Sequence, residues 1–202
     1  THNSSIQIFL IFLSLLLLVK PLGEYIARVY QGQWGSAGRF LRPIERICYR
    51  LCGIRPTDTM DWKQYLSAML ILNALGFLLT YAIQRLQAIL PFNPQSFPGV
   101  SPLVAFNTAA SFVTNTNWQA YVGESTMSYF TQAGALTVQN FISAATGMSL
   151  LMALIRGLVA ENQRNLGNFW VDTLRGILYI LLPLSCLLAV FFVSQGSIQN
   201  VR

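Results

Sequence analysis

Four long apolar segments separated by polar connections dominate the pattern of the chain. We place them at 6–19, 65–83, 127–155 and 176–193. Apolar runs of this kind are typical of helices that cross a bilayer, for which about 20 residues are enough. The first run is short, but Leu22 can extend it while the Lys20 ammonium reaches the interface. Pro183 lies in the middle of the fourth run and predicts a kink there.

Composition places the chain in the membrane class. It has 202 residues, of which 53% are hydrophobic and 10% charged, whereas soluble domains carry about 25% charged residues. The formal net charge is +6, and the basic residues cluster in alternate connections, which indicates that those connections are cytoplasmic and that the N-terminus lies outside. This explains the positive charge without nucleic-acid binding, and attraction to anionic lipid is a secondary explanation. The first basic cluster is Lys20, Arg28, Arg39, Arg42, Arg46, Arg50, Arg55 and Lys63, and the second is Arg156, Arg164 and Arg175.

The connection between the second and third apolar segments contains a short predicted helix followed by a polar run. Ser101 and Pro102 are a typical N-cap and first helical residue, and about three turns of helix fit before Thr114. A short helix between two spans, followed by polar backbone, is the arrangement of a re-entrant pore loop. The polar run itself is Thr114, Asn115, Thr116, Asn117, Trp118 and Gln119.

The polar run has the chemistry of a site for a monovalent cation. Its backbone carbonyls and threonine hydroxyls can replace the hydration shell of potassium, mainly through the carbonyls of 114–117. The short helix would direct its partly negative C-terminal end at the same place. No acidic residue or glycine lies between Pro102 and Gly123, so Asn115 or Asn117 must supply any left-handed backbone. The alternative is a re-entrant structural loop that binds no ion.

Polar residues in the apolar segments can be interpreted in two ways, as residues that pack helices together or as functional residues. We expect Asn73 to make an interhelical hydrogen bond. One face of the third segment is polar. It serves either to pack helices together or to carry a function, by lining a wet pathway or by contacting the pore loop. Its residues are Ser128, Gln132, Gln139, Ser143 and Thr146. Cys48, Cys52 and Cys186 have no neighbouring histidine that would complete a metal site, so reduced structural thiols are expected.

Several motifs together resemble the KdpA family, the potassium-transporting ATPase A subunits. They are KPLGEY at 20–25, MDWKQY at 60–65, FVTNTNWQ at 112–119, LTVQNF at 136–141 and LGNFWVD at 166–172. The resemblance implies a bacterial inner-membrane subunit that takes up potassium, with a P-type ATPase subunit and small accessory subunits as partners. It also implies that 114–117 is the first of four filter segments, with Trp118 and Gln119 beside it.

The predicted fold is therefore an all-α membrane protein with four transmembrane helices, one re-entrant pore helix and its filter loop. We divide it into a first helix (1–23), a basic loop (24–62), one helix–pore-loop–helix repeat (63–157) and the start of a second (158–202). The family's chains are more than twice as long and have four pore loops, so we expect a fragment, a truncated product or part of a split protein. The absence of Met at position 1 also indicates a trimmed end.

Other functions remain as alternatives. A passive, channel-like potassium uptake subunit of the same superfamily would need only the membrane potential, and a truncated structural membrane module would not transport. An intramembrane enzyme would need facing carboxylates or a metal cluster, and the acidic residues are predicted at membrane edges. The sequence has no phosphate-binding loop, so ATP hydrolysis is expected in a partner, and no organic cofactor is expected.

Overall fold

The structure is a computed structural model that describes residues 2–33, 38–159 and 165–197. Arg164 of the second basic cluster lies outside these residues, as do residues 34–37 of the basic loop.

The described residues form helices and connections, with no β-strand among them, so the predicted all-α class is confirmed. Two π-helical turns, Thr131–Thr137 and Gly176–Leu181, run directly into the helices that follow them. The α-helices are α1 (His2–Tyr30), α2 (Gly38–Leu51), α3 (Trp62–Leu86), α4 (Pro102–Val113), α5 (Gly123–Thr126), α6 (Val138–Val159), α7 (Phe169–Arg175) and α8 (Leu182–Ser194).

Four helical stretches in the described residues are long and apolar enough to cross a membrane, as predicted. They are Ser4–Tyr30, Trp62–Leu86, Thr131–Val159 and Phe169–Ser194. The first, second and fourth are longer than the sequence pattern alone indicated, whereas the third has the predicted length and begins four residues later. Most of their large apolar side chains are exposed on the surface of the protein, which suits contact with lipid. We call the side that holds the connection from α1 to α3 and the connection from α6 to α7 the basic side. The opposite side, which holds α4, is the pore-loop side.

Helix α1 continues through Pro21 to Tyr30, past the boundary predicted at residue 23. A long-range contact explains this extension, because the Tyr25 hydroxyl donates to the main-chain carbonyl of Tyr179 at 2.5 Å. Pro183 has no N–H to donate to that carbonyl, which lies four residues before it. A π-helical turn, Gly176–Leu181, lies just before Pro183, and Pro183 itself lies in the first turn of α8.

The starts of α3 and α4 follow local sequence signals. At α3, the Asp61 carboxylate accepts from the Gln64 N–H at 2.8 Å, and the Gln64 side chain accepts from the Asp61 N–H at 3.1 Å. This capping box satisfies two backbone donors at the helix end. At α4, the predicted start is confirmed, since Ser101 is the N-cap and Pro102 the first residue, although the Ser101 side chain makes no capping hydrogen bond.

The spans are held together on the basic side by a buried polar and aromatic cluster. Tyr65 of α3 and Phe169 of α7 meet edge-on at 5.3 Å between ring centroids. The Tyr65 hydroxyl donates to the main-chain carbonyl of Ser149 at 2.8 Å and to the Asp172 carboxylate at 3.0 Å. Asp172 also binds the Arg156 guanidinium through two hydrogen bonds. These contacts join α3, α6 and α7 into one packed unit.

The prediction for Asn73 is wrong. Its side-chain Nδ2 donates at 2.9 Å to the carbonyl of Met69, one turn back in the same helix. An amide at this spacing reaches the preceding turn of its own helix without a partner. The close contact between α3 and the third span is made instead at Gly76, where an added Cβ would lie 2.5 Å from Oε1 of Gln139.

Candidate functional site

Helix α4 lies against α3 and the third span, and its inner face carries small side chains. Ala105 and Ala109 are completely buried, which lets the backbones approach closely. On the α3 side, the Phe106 ring meets that of Phe77 edge-on at 5.3 Å. The Gln84 side chain donates to the Ala105 carbonyl at 3.3 Å. Residues of α3 thus fix the helix that precedes the polar run.

The backbone turns sharply after α4 and folds back over the end of the helix. The Thr114 N–H donates to the carbonyl of Ala110 at 3.1 Å and the Asn115 N–H to that of Phe112 at 3.3 Å. The next two residues share one acceptor, because the N–H groups of Thr116 and Asn117 both donate to the Ser111 carbonyl, at 2.9 and 3.2 Å. The last turn of α4 is therefore capped by the polar run itself.

The two asparagines adopt the left-handed conformation, as the absence of glycine required. Asn115 has φ 57° and Asn117 has φ 55°. Asparagine tolerates this region better than other side chains with a Cβ. The left-handed residues alternate along the run. The prediction that an asparagine supplies the left-handed backbone is confirmed at both positions.

The hydrogen bonds of the run also determine where its carbonyls point. None of the described peptide bonds is cis, and in a trans peptide the C=O points opposite to the N–H of the same unit. The four N–H groups of 114–117 are directed at the end of α4. The carbonyls of the same four peptide units, those of Val113, Thr114, Asn115 and Thr116, therefore point away from the helix.

The side chains of the run are bonded to one another and to the third span. The hydroxyls of Thr114 and Thr116 lie 2.9 Å apart. Asn115 Oδ1 accepts from Asn117 Nδ2 at 3.3 Å and from the Ser143 hydroxyl of α6 at 3.4 Å. Residues 114–119 are nonetheless exposed, including Gln119 and Trp118, the latter 64% exposed. The site is thus formed on one side and open on the other.

The predicted polar face of the third span is buried against its neighbours. Ser143 contacts the polar run, which supports the pore-loop interpretation for that residue. Gln139 packs on Gly76 of α3, and Thr146 donates to the Ile142 carbonyl of its own helix at 2.8 Å. Gln139 therefore lies at a contact between helices, and Thr146 bonds within its own helix.

Sequence reasoning missed Gln87, which holds the connection before α4. Its side chain is completely buried, and Nε2 donates to the carbonyls of Pro98 at 2.7 Å and Thr126 at 2.8 Å. Its Oε1 accepts from the Ser128 N–H and the Thr131 hydroxyl, both at 3.1 Å. All the hydrogen-bonding capacity of this amide is thus used to join the two ends of the pore-loop connection. The available sequence signal was a pair of glutamines, at 84 and 87, at the end of an apolar segment.

The chain is similar to proteins of one family over nearly its whole length. The family model described as Potassium-transporting ATPase A subunit, KdpA, matches residues 9–202. A protein of Dechloromonas aromatica is 58% identical over 200 residues, which are 99% of this chain and 33% of that protein. A protein of Ralstonia nicotianae is 56% identical over 195 residues, which are 96% of this chain and 33% of that protein. Both are named potassium-transporting ATPase potassium-binding subunit.

A protein of Sorangium cellulosum with the same name is 55% identical over 200 residues, 99% of this chain and 34% of that protein. The chain thus spans about a third of the length of these curated relatives. The family model covers nearly all residues of the chain, and the relatives are similar to the chain over nearly its whole length. The chain belongs to the KdpA family, the potassium-transporting ATPase A subunits.

Proposed function

We propose that the chain is part of a potassium-binding and translocating subunit of an ATP-driven uptake complex, in which 114–117 forms one of four filter segments. The observation that carries this proposal is the orientation of the backbone. The N–H groups of the run cap α4, so the carbonyls of Val113, Thr114, Asn115 and Thr116 face away from the protein's own helix, and the last three of them belong to 114–117. Carbonyl oxygens in such an array can replace the hydration shell of potassium.

Two further features support a monovalent cation. The C-terminal end of α4 lies under the run and contributes a partial negative charge. The threonine hydroxyls at 114 and 116 offer further oxygens next to the carbonyls. The run has no carboxylate, and a calcium site would use carboxylates as ligands. The carbonyl and hydroxyl dipoles carry no full charge, so they can attract the ion into the site and still bind it weakly enough for it to leave.

The exposure of the run fits a filter quadrant. A ring of carbonyls around an ion needs segments on all sides, and here one segment is supported from behind by α4 and Ser143 and open in front. We propose that the other quadrants come from further helix–pore-loop–helix repeats, as the division into 63–157 and 158–202 anticipates. Trp118 and Gln119 border the ion path in this arrangement.

The remaining parts of the proposal follow from the family and the charge pattern. The subunit itself does not hydrolyse ATP, and a P-type ATPase subunit with small accessory subunits completes the complex in the bacterial inner membrane. The basic side is cytoplasmic and the N-terminus lies outside, in accord with the positive-inside pattern. Contact with anionic lipid is also proposed, through the exposed arginines Arg42, Arg46 and Arg50 of α2.

The test is Gln119→Arg in the full-length subunit within its complex, with potassium uptake measured in cells that lack other uptake systems. A cation roughly 8 Å from the ion costs about 2 kcal/mol at an effective dielectric constant of about 20. The half-saturating potassium concentration should therefore rise more than tenfold. Gln195→Arg is the matched control, since Gln195 is exposed at the end of α8 on the pore-loop side, and it should leave the affinity unchanged. Equal affinities in both variants would refute the filter assignment.

A second measurement separates the pump from a passive channel. The complex is reconstituted in vesicles, and potassium uptake is followed with ATP or with a membrane potential alone. The ATP-driven proposal requires ATP for uptake against the potassium gradient. Uptake that follows the potential and ignores ATP would favour the channel-like alternative.

A further inference from the structure

Helix α2, in the connection between the first two spans, has three distinct faces. Successive residues of an α-helix are rotated by about 100°, so a residue pattern can be assigned to faces directly. One face of α2 is buried against the protein, a second is apolar and exposed, and the third is basic. The helix is anchored on one side only, and the other two sides are open.

The buried face is fixed by Glu45. Its carboxylate accepts from the Tyr49 hydroxyl at 2.7 Å, from the Tyr179 hydroxyl at 2.8 Å and from Nε of Arg175 at 3.3 Å. Arg175 also donates to the main-chain carbonyl of Tyr30 at 3.2 Å. Burial, followed by the hydrogen bond to Glu45, raises the pKa of Tyr49, so its phenol is a donor at neutral pH. The helix is therefore held at the ends of the first and fourth spans.

The apolar exposed face is a continuous stripe. Phe40 and Leu51 are 81% and 80% exposed at the two ends of α2, and Ile44 and Ile47 lie between them. Their spacing of three and four residues places all four on one face. Exposed large apolar side chains in one row indicate a surface that is covered in the working protein.

The third face carries three exposed arginines, Arg42, Arg46 and Arg50. They follow one another at intervals of four residues and so form a row beside the apolar stripe. Glu45 is the acidic residue of α2, and its carboxylate is buried and bonded. The outward charge of the helix is therefore entirely positive. A guanidinium can bind a phosphate oxygen pair through two parallel hydrogen bonds.

We propose that α2 is an interfacial anchor that binds anionic phospholipids of the bilayer. The apolar stripe lies among the upper acyl chains and the arginine row binds the phosphate groups, while Glu45 fixes the helix to the spans. Amphipathic helices with apolar and basic faces lie at this depth in membranes. The position of α2 at the ends of two membrane-spanning helices brings it to the interface. This inference deepens the lipid contact of the proposed function, and the binding of lipid by α2 does not involve the filter residues 114–117.

The test measures which lipids surround α2 in the full-length subunit within its complex. Cys48, Cys52 and Cys186, which are free, are replaced by Ser, and a fluorescent bimane is attached at Phe40→Cys. The complex is reconstituted in equal parts phosphatidylcholine and phosphatidylglycerol, with bromine on the chains of one lipid or the other. Brominated phosphatidylglycerol should quench the probe more strongly than brominated phosphatidylcholine. The preference should weaken at high salt.

Charge variants identify the residues responsible. Arg42→Gln, Arg46→Gln and Arg50→Gln together should abolish the preference, because a basic residue at an anionic surface contributes roughly fivefold in binding. The triple lysine variant should keep most of it, which shows that the helix is still in place. Arg55→Gln is the matched control, since Arg55 is an exposed arginine in the same connection but beyond α2, and it should have no effect.

Two results would overturn the proposal. Quenching by both lipids without preference, or a preference that survives the triple glutamine variant, would show that the arginines do not select anionic lipid. A probe shielded from both brominated lipids would show that the stripe is covered by protein, such as an acidic surface of a partner subunit.

Discussion

Asp172 accepts two hydrogen bonds from the Arg156 guanidinium, at 2.5 and 2.9 Å, and thereby ties the start of the fourth span to the end of the third. The carboxylate is 3% exposed and the guanidinium 27%. Arg156 also donates to the Leu166 carbonyl at 2.8 Å. A fork-shaped pair with this little exposure is a strong geometric constraint on two helices.

Removing the charge of Asp172 should destabilise the subunit. Asp172→Asn leaves a partly buried guanidinium without its counter-ion, and breaking a buried pair costs about 3 kcal/mol at the lower end of measured values. We expect a lower thermal midpoint of the full-length subunit in detergent. The double variant with Arg156→Met should recover part of the loss, because no buried charge then remains. Additive losses in the double variant would show that the two side chains act separately.

The left-handed backbone at Asn115 predicts a contrast between two small substitutions. Asn115→Gly keeps the conformation without steric cost, whereas Asn115→Ala places a Cβ in the left-handed region at about 1–2 kcal/mol. Both remove the contacts to Ser143 and Asn117 equally. If the turn positions the carbonyls, potassium affinity should fall more for alanine than for glycine in uptake measurements. Equal losses in the two variants would mean that the side-chain amide matters and the backbone angle does not.

The contact of Gly76 with Gln139 predicts a size limit between α3 and α6. In Gly76→Ala the new methyl group would approach Gln139 Oε1 to 2.5 Å, so the amide must move, at a cost of about 1–3 kcal/mol for overpacking. The thermal midpoint should fall, and Gln139→Ala in the same chain should restore it. Gly147→Ala is the control, because no atom of the described residues beyond its own stretch of helix lies within 4 Å of the added Cβ. That control should be neutral or slightly stabilising.

The anchoring of α2 by Glu45 can be tested by limited proteolysis. Glu45→Gln removes the charge that pairs with Arg175, whose side chain is 18% exposed. We expect α2 to detach more often, and trypsin to cleave after Arg46 and Arg50 faster than in the unchanged complex. Glu24→Gln serves for comparison, since its pair with Arg28 is long, at 3.5 Å, and solvent-exposed, and such pairs contribute little. Equal cleavage rates in both variants would show that Glu45 does not hold the helix.

Local signals in the sequence were enough to predict α4 and the turn that follows it. Ser101, Pro102 and the onset of polar residues at Thr114 predict the limits of α4, and the structure has the same limits. The lack of glycine forces an asparagine into left-handed backbone, and two asparagines adopt it. These features depend on residues close in sequence, where steric rules act directly.

The class of the protein, its four apolar spans, the short helix α4 and the family can all be predicted from residues close together in the sequence. The pairing of the buried polar groups depends instead on how the helices pack. Gln87, Glu45 and Asp172 each bind partners distant in sequence, and Asn73 bonds to its own helix where a neighbour was expected. A buried polar group must find a partner, but periodicity gives only the face on which it lies. Which partner stands opposite is set by how the helices pack.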